Sequence, residues 1–309
     1  MKQVLRRAGR AAWGFRDSRV GYLALWTLVV VFLGRAAVQA YQDYTGLPPF
    51  DTAAVSLALV ALGVHAAALP VKWYYLMRAE GADLGFLETG KIFYISQLSS
   101  YIPGGLWQYL EMGYRAAGDG TGLDEVAHSV AYLTGVTVTS ALCYASLAAA
   151  AAFPAYRLPA LAAAALIAGG TVLSADIVER LKRWLRQWIA VPPYQPSRRT
   201  LGTLFAVSIT LWLVAGIFVF FLVDAVAAVT SGQFAAVSGA FAAAWAAGFL
   251  VLVVPGGLGV REGVLIYLLG PVFPRPAVLA VTVLARVLMM AGEVVMAASY
   301  AAAVGWRRR

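Results

Sequence analysis

The chain has few of the residues that most often carry chemistry in proteins. Its 309 residues include one cysteine, Cys143, and two histidines, His65 and His128. A single cysteine excludes an intramolecular disulfide and argues against a cysteine-based zinc site, and the two histidines are too far apart in sequence to predict a metal site. We therefore expect neither a metal nor a cofactor.

Charged residues are also scarce. They make up 13% of the chain, whereas hydrophobic residues make up 61% and the mean hydropathy is +0.75. An ordinary soluble domain is about 25% charged and about 45–50% apolar. The composition therefore predicts an all-α polytopic membrane protein with a single transmembrane domain over 1–309. We interpret the net charge of +9 as basic flanks of membrane spans rather than as a nucleic-acid surface, so no nucleic-acid partner is expected.

Signatures of soluble catalysis are absent as well. The sequence contains no His-Glu-x-x-His, no Gly-x-Ser-x-Gly, no phosphate-binding P-loop and no Gly-x-Gly-x-x-Gly. We therefore expect a transporter-like protein rather than an enzyme, with no catalytic residues.

Six apolar stretches are long enough to cross a bilayer, which takes about 20 mostly apolar residues. They are Val20–Ala40, Thr52–Leu76, Val126–Phe153, Leu158–Ser174, Leu201–Val229 and Pro276–Val304. Residues 1–19, 175–200 and 307–309 are rich in Lys and Arg, whereas 41–51 and 230–233 have none. Because basic loops tend to stay in the cytoplasm, we predict a multi-pass protein of the cell membrane with both termini cytoplasmic.

The basic segment 175–200 has the pattern of a short amphipathic helix. Bases fill one face, and apolar residues recur near helical spacing at Ile177, Leu181, Trp184, Leu185 and Trp188. Such a helix is typical of the interface of an anionic leaflet. A simple tether between two halves of the protein is an equally good interpretation.

The tetrapeptide Pro-Gly-Gly-Leu occurs twice, at Pro103–Leu106 and Pro255–Leu258, an offset of 152 residues (255 minus 103). Each copy interrupts an apolar region, at about 86–116 and 234–273. Broken helices in corresponding positions of two halves indicate an inverted repeat with a transport site. We predict two re-entrant hairpins that enter from opposite faces, with repeats over about 20–153 and 158–304. Chance recurrence in a Gly- and Ala-rich chain is the alternative.

The second break is the stronger candidate for a binding site. Pro255, Gly256, Gly257 and Gly259 would allow a tight turn, and the helix that restarts there exposes free N–H groups to an anion. The ionisable residues beside it are Arg261, Glu262, Arg286 and Glu293. Charged groups inside a membrane are costly, so each suggests function. Structural ion pairs, Arg286 with Glu262 or Arg261 with Glu293, explain the same residues equally well.

The first break offers a second set of candidates. We select Pro103, Gly104, Gly105, Gln108, Glu111 and Arg115, with Lys91 upstream. The aromatic residues beside them, Tyr101, Trp107, Tyr109 and Tyr114, fit either an amphipathic path for a lipid head or an interfacial belt. We expect Lys72 and Arg78 to snorkel at a cytoplasmic helix end, and His65 to pack inside the helix bundle.

These two segments resemble motifs of a known family. Tyr101–Trp107 with Gly113–Arg115 is similar to the first motif of the lysylphosphatidylglycerol synthase transmembrane-region family, and Val254–Glu262 with Arg286 resembles its second, more diagnostic motif. The resemblance extends over nearly the whole chain in motif order and span layout. It differs at Tyr132–Gly135, where many members carry charged residues, so the resemblance does not imply a symmetric role of the two halves.

The resemblance implies lipid translocation, in some members of aminoacylated phosphatidylglycerol and in others linked to isoprenoid-phosphate or glycolipid pathways. Without the aminoacyl-transferase domain of bifunctional members, this chain is expected to be a stand-alone flippase. It would move an anionic phospholipid or a polyprenyl-phosphate-linked lipid, with Arg261, Arg286 and the glycine tip holding the head.

Two other functions remain open. One is an intramembrane lipid-modifying transferase with Glu111 or Glu262 as general base. The other is a non-catalytic scaffold whose partner is a lipid-linked glycosyltransferase or synthase. Oligomeric state is not predicted by any feature of the sequence.

Overall fold

A computed structural model of the protein describes residues 51–79, 81–101, 107–117, 123–185, 196–251, 257 and 259–304. Within these ranges the chain forms nine α-helices and no strands, so the predicted all-α polytopic fold is confirmed. The helices are α1 Thr52–Ala79, α2 Phe86–Gln97, α3 Trp107–Ala117, α4 Leu123–Ala152, α5 Arg157–Leu185, α6 Arg198–Asp224, α7 Phe234–Leu250, α8 Val260–Leu269 and α9 Arg275–Val304. The predicted span Val20–Ala40 lies outside the described residues.

Six segments of the described chain have the length and apolar composition to cross a membrane. Five of them correspond to predicted spans: Thr52–Ala79, Val126–Ala152, Pro154–Asp176, Arg198–Asp224 and Arg275–Val304. The predicted span Leu201–Val229 extended too far at its C-terminal end, because the helix ends at Asp224. α5 continues through Leu185, so the start of 175–200 is helical as an extension of that span.

The sixth candidate span, Ser231–Leu250, lies in a region that we predicted to be re-entrant. It is long enough to cross by itself, whereas α8, beyond the break, has only ten residues. At the first break both helices are short, since α2 has 12 residues and α3 has 11. A rise of 1.5 Å per residue makes each of these about 16–18 Å long, well under the bilayer core. We predicted that α2 with α3, and α7 with α8, each enter the membrane and return to the same face, and this stays a prediction.

Side-chain and glycine caps fix where several helices begin. The Asp51 carboxylate accepts a hydrogen bond from Ala53 N at 2.8 Å before α1, and the Ser197 hydroxyl accepts one from Thr200 N at 3.1 Å before α6. A capping box of Thr230 and Gln233 precedes α7. These caps satisfy backbone N–H groups that the first turn of a helix leaves unpaired.

The packing of the helices repeats between the two parts of the chain. The 152-residue offset carries 123–152, the bounds of α4, onto 275–304, the bounds of α9, and carries 107–117 to within a residue of α8. Contacts follow the same correspondence: α2 packs on α9 as α7 packs on α4, and α3 packs on α4 as α8 packs on α9. α1 and α6, the first helices of the two sets, have the most extensive contact with each other.

Glycine allows close packing of two helix pairs, α2 with α9 and α7 with α4. A Cβ at Gly90 of α2 would fall 2.3 Å from the Tyr300 ring of α9. A Cβ at Gly239 of α7 would fall 2.6 Å from Ala148 Cβ of α4. Tyr300 and Ala148 are 152 residues apart (300 minus 148) and the two glycines are 149 apart (239 minus 90), so the contacts lie within about one helical turn of corresponding places. Small residues at such crossings let backbones approach inside a membrane.

The Gly239 contact gives a first test of the fold. We expect Gly239→Ala to destabilise the protein by about 1–3 kcal/mol, because the new methyl overpacks the crossing. Adding Ala148→Gly should restore most of the loss, as it removes the carbon that the methyl meets. Gly135→Ala, in a helix with open space around that position, is the control and should be neutral or stabilising. Thermal unfolding in detergent gives the stability of the wild type, the two single variants and the double variant. If Ala148→Gly does not restore stability, the contact between Gly239 and Ala148 is not what limits the packing.

Candidate functional site: a basic cavity between the two breaks

A cavity of about 190 Å³ lies between the two broken regions. Residues from eight of the nine helices line it, all except α5. Its charged and amide-bearing lining residues are Lys72, Gln97, Gln108, Arg261, Arg286 and Glu293. Three bases and one acid in a mostly apolar chamber make it suited to an anion. Five site residues predicted from the sequence line this cavity: Gln108, Gly257, Arg261, Arg286 and Glu293.

Glycine shapes the second break where it meets the cavity. Gly257 and Gly259 have φ angles of +68° and +80°, a region that other residues rarely adopt. A Cβ at Gly257 would lie 2.7 Å from the carbonyl oxygen of Gly248, in α7. Backbone thus packs directly on backbone at this point, and only glycine fits. Gly259 then caps α8, which places Arg261 in its first turn, facing the cavity.

The Arg261 side chain lies in a groove on α7. A Cβ at Gly248 would fall 2.2 Å from Arg261 Cγ, so the absence of a side chain there makes room for the arginine stem. The guanidinium carbon sits 5.3 Å from the centre of the Trp245 ring, within cation–π range. Trp245 in turn stacks on Phe249 and meets Trp212 edge-on. The aromatic cluster holds the arginine head at the cavity wall.

A chain of amide contacts links the first break to the last helix. Gln108 of α3 donates to the Gln97 side-chain oxygen at the end of α2, and Gln97 Nε2 donates to Glu293 Oε1 of α9 at 3.5 Å. The polar side of the cavity thus joins residues from both parts of the chain. Gln97 was missing from our prediction, although it precedes the break and lies among polar residues in an apolar region.

Comparison with known proteins identifies the family. Residues 19–296 match the family described as Lysylphosphatidylglycerol synthase TM region. The chain belongs to this family. The matched part contains both breaks, the cavity and all nine described helices except the last turns of α9. It is therefore a multi-pass membrane protein of the lysylphosphatidylglycerol synthase, flippase-like, family. No curated protein matches the chain.

In this family member, several predicted site residues lie outside the cavity lining. Glu111 and Arg115 pair with each other across one turn of α3, with Nη2 to Oε1 at 2.6 Å. Lys91 pairs with Glu88 at 3.6 Å. Glu262 lines a smaller neighbouring cavity of about 40 Å³ that also includes Arg261 and Arg286. Pro103, Gly104, Gly105, Pro255 and Gly256 are outside the described residues.

Lys72 is the main functional candidate that the sequence interpretation missed. We expected it to snorkel beside Arg78, but it is only 4% exposed and lines the cavity. Its Nζ donates to Thr137 Oγ1 of α4 at 3.0 Å. Arg78, by contrast, is exposed and pairs with Asp83 at 3.0 Å. A signal was present, because His65, Leu69 and Lys72 lie on one face of α1 at helical spacing, and all three line the cavity.

His65 packs inside the bundle, as predicted, and it also borders the cavity. Its Nδ1 lies 3.0 Å from the carbonyl oxygen of Leu211, a residue of α6. The contact ties α1 to α6 at the level of the cavity, which fits a structural role for the ring.

The two parts of the protein contribute unequal chemistry to the lining. At the 152-residue offset Arg261 corresponds to Tyr109, and Arg286 corresponds to Thr134; all four line the cavity. Tyr109 and Thr134 each bring an uncharged hydroxyl group to the lining. The neutral stretch Tyr132–Gly135 thus falls where the second part carries Arg286. One side of the chamber is a neutral polar pair, and the other carries two guanidinium groups.

Proposed function

We propose that this protein translocates an anionic lipid between the leaflets of the cell membrane. The observation that carries the proposal is the cavity between the helices that flank the two breaks, lined by Arg261, Arg286 and Lys72. Bases buried inside a membrane are expensive and mark a substrate path or its counter-charge. Guanidinium groups suit a phosphate head because their paired N–H donors match its oxygens. The lipid tail would remain between helices.

The repeated packing supports an inverted repeat, whose two halves would move relative to each other during transport. Discontinuous helices in corresponding halves, with a site near the midplane, are a recurrent transporter architecture. Rocking of one half against the other would open the chamber to each leaflet in turn. We further infer from the basic flanks that both termini are cytoplasmic.

The transferase alternative has weaker support than translocation. Glu111, one of its two candidate bases, is held by Arg115 away from the chamber. Glu262 is better placed, since its Oε2 is buried and has no hydrogen-bond partner among the described residues. Formation of a modified lipid by the purified protein, given a donor, would favour this alternative. The scaffold alternative predicts that the lining charges are dispensable while the 175–200 face is required.

The test is translocation in liposomes. Tail-labelled phosphatidylglycerol, phosphatidylethanolamine and polyprenyl phosphate would be reconstituted with purified protein, and an impermeant reductant would report the outer leaflet. We expect the wild type to move an anionic lipid, and Arg286→Gln to slow it by about tenfold or more, since hydrogen bonds to charged groups contribute about 1.5–3 kcal/mol. Arg275→Gln, at the exposed start of the same helix, is the matched control and should keep the wild-type rate.

Each outcome decides between the proposals. If no lipid moves although the protein is folded, translocation is wrong and the scaffold or transferase remains. If lipid moves equally in Arg286→Gln, translocation stands but the arginine does not hold the head.

A further inference from the structure

Within the part of the chain that the structure describes, the buried lysine in the cavity wall forms no ion pair. This residue, Lys72, is 4% exposed. Its ammonium group donates to one neutral hydroxyl, that of Thr137. A buried charge without a partner is strongly destabilising. This cost is retained in the lining of the cavity, where the group that could offset it is a bound anion.

A second unsatisfied group lies in the same lining. Ser208 of α6 is fully buried, and its Oγ has no hydrogen-bond partner among the described residues. A hydroxyl can donate to an anion that enters the chamber. The orphaned hydroxyl and the uncompensated ammonium come from α6 and α1, whereas the two arginines come from α8 and α9. Donors therefore converge on the chamber from four helices.

This number of donors indicates which kind of head the chamber fits. A phosphate diester within a lipid has two terminal oxygens and one negative charge. A phosphate monoester has three terminal acceptor oxygens and about −1.5 to −2 charges at pH 7. Two acids, Glu293 and Glu262, border the arginines in the two adjoining cavities, so the arginines alone do not supply a large excess of positive charge. Lys72 supplies the third base and the additional charge.

We propose that the chamber is selective for a terminal phosphate, a monoester or a diphosphate, and that Lys72 sets this selectivity. The inference deepens the proposed function and rests on it. The head would be held between Lys72 of the first part of the chain and Arg261 and Arg286 of the second. Because the shared chemistry is the terminal phosphate, glycerolipid and polyprenyl monoesters are both candidates, and the experiment includes each.

Binding and transport are measured separately. Short-chain phosphatidic acid and short-chain phosphatidylglycerol have equal tails and differ in one ester bond, so their dissociation constants for the detergent-solubilised protein compare monoester with diester. We expect the monoester to bind about tenfold tighter. Lys72→Met should reduce that preference to within about threefold, while Arg78→Met on the exposed end of the same helix should leave it unchanged. Translocation of tail-labelled phosphatidic acid, polyprenyl phosphate and phosphatidylglycerol is measured in parallel.

Unliganded stability separates a binding role from a structural one. If Lys72 exists for the ligand, Lys72→Met removes an uncompensated charge and should leave the melting temperature equal or higher. A large drop in melting temperature would mean that the lysine supports the fold, and this would overturn the inference. Equal affinity for the two short-chain lipids in wild-type protein would overturn it as well.

The two levels of proposal fail in different ways. If the protein binds the monoester selectively but moves no lipid, the proposed translocation is wrong and the proposed terminal-phosphate selectivity stands. Translocation of diester and monoester at equal rates keeps the flippase and refutes the selectivity. If the folded protein neither binds nor moves any of these lipids, both are wrong.

Discussion

Gly257→Ala should abolish lipid translocation and lower stability by about 2–5 kcal/mol. The new methyl would lie 2.7 Å from the Gly248 carbonyl oxygen and 2.9 Å from Gly248 Cα, both of them backbone atoms that cannot rotate away. Overpacking of this kind costs about 1–3 kcal/mol. The φ of +68° adds about 1–2 kcal/mol for a residue with a side chain. Relief requires α8 to move off α7, and Arg261 would move with it.

Gly259→Ala is the matched control for this effect. Its φ is +80°, but nothing lies within 4 Å of the added carbon. We therefore expect only the backbone cost of about 1–2 kcal/mol, with translocation largely kept. Thermal unfolding in detergent and the liposome assay give both readouts. Equal losses in the two variants would show that the contact between α7 and the break does not position the site.

Trp73→Ala should be the most damaging core substitution near the chamber. Trp73 is fully buried, and its indole N–H donates to Ser129 Oγ of α4 at 3.1 Å. Truncation of a buried tryptophan costs about 3–5 kcal/mol in soluble proteins. We expect the lower end here, because lipid rather than water surrounds the unpacked helices. Lys72 is the adjacent residue and bonds the same helix through Thr137, so terminal-phosphate selectivity should weaken as well.

Trp73→Phe separates packing from hydrogen bonding at this position. It keeps an aromatic ring and loses the bond to Ser129, for an expected cost of about 1 kcal/mol. Melting temperatures rank the three proteins, and the short-chain lipid affinities show whether Lys72 has moved. A Trp73→Ala protein as stable as Trp73→Phe would mean that the α1–α4 contact relaxes around the lost ring.

The helices could be predicted from sequence because local signals fix them. Long apolar runs located five of the spans, and the duplicated Pro-Gly-Gly-Leu located both interruptions. Ser231–Leu250 was assigned to a re-entrant region because the stretch after its break, Gly263–Phe273, is too short to span, yet Ser231–Leu250 itself is long enough for a crossing. Length alone could not separate the two arrangements.

The site was only partly predictable, for a different reason. Arg261, Arg286 and Glu293 were found because charges inside apolar helices are conspicuous. Lys72 was misjudged because a lysine seven residues before the end of α1 usually reaches water. Its ammonium group instead bonds Thr137, 65 positions along the chain, and no local pattern encodes that contact. Trp245 was not predicted, because an aromatic residue in an apolar run does not indicate that an arginine packs over its ring.

The unequal lining of the chamber has a consequence for kinetics. If the two halves exchange roles when the chamber opens to one leaflet and then the other, the neutral pair Tyr109 and Thr134 and the charged pair Arg261 and Arg286 do not become equivalent. The inward-open and outward-open states then hold the phosphate with different lifetimes. Unequal lifetimes by themselves cannot accumulate lipid in one leaflet, because detailed balance ties every forward step to its reverse. In such a cycle the asymmetry would set how long each state holds the head, and the lipid gradient would set the direction of net movement.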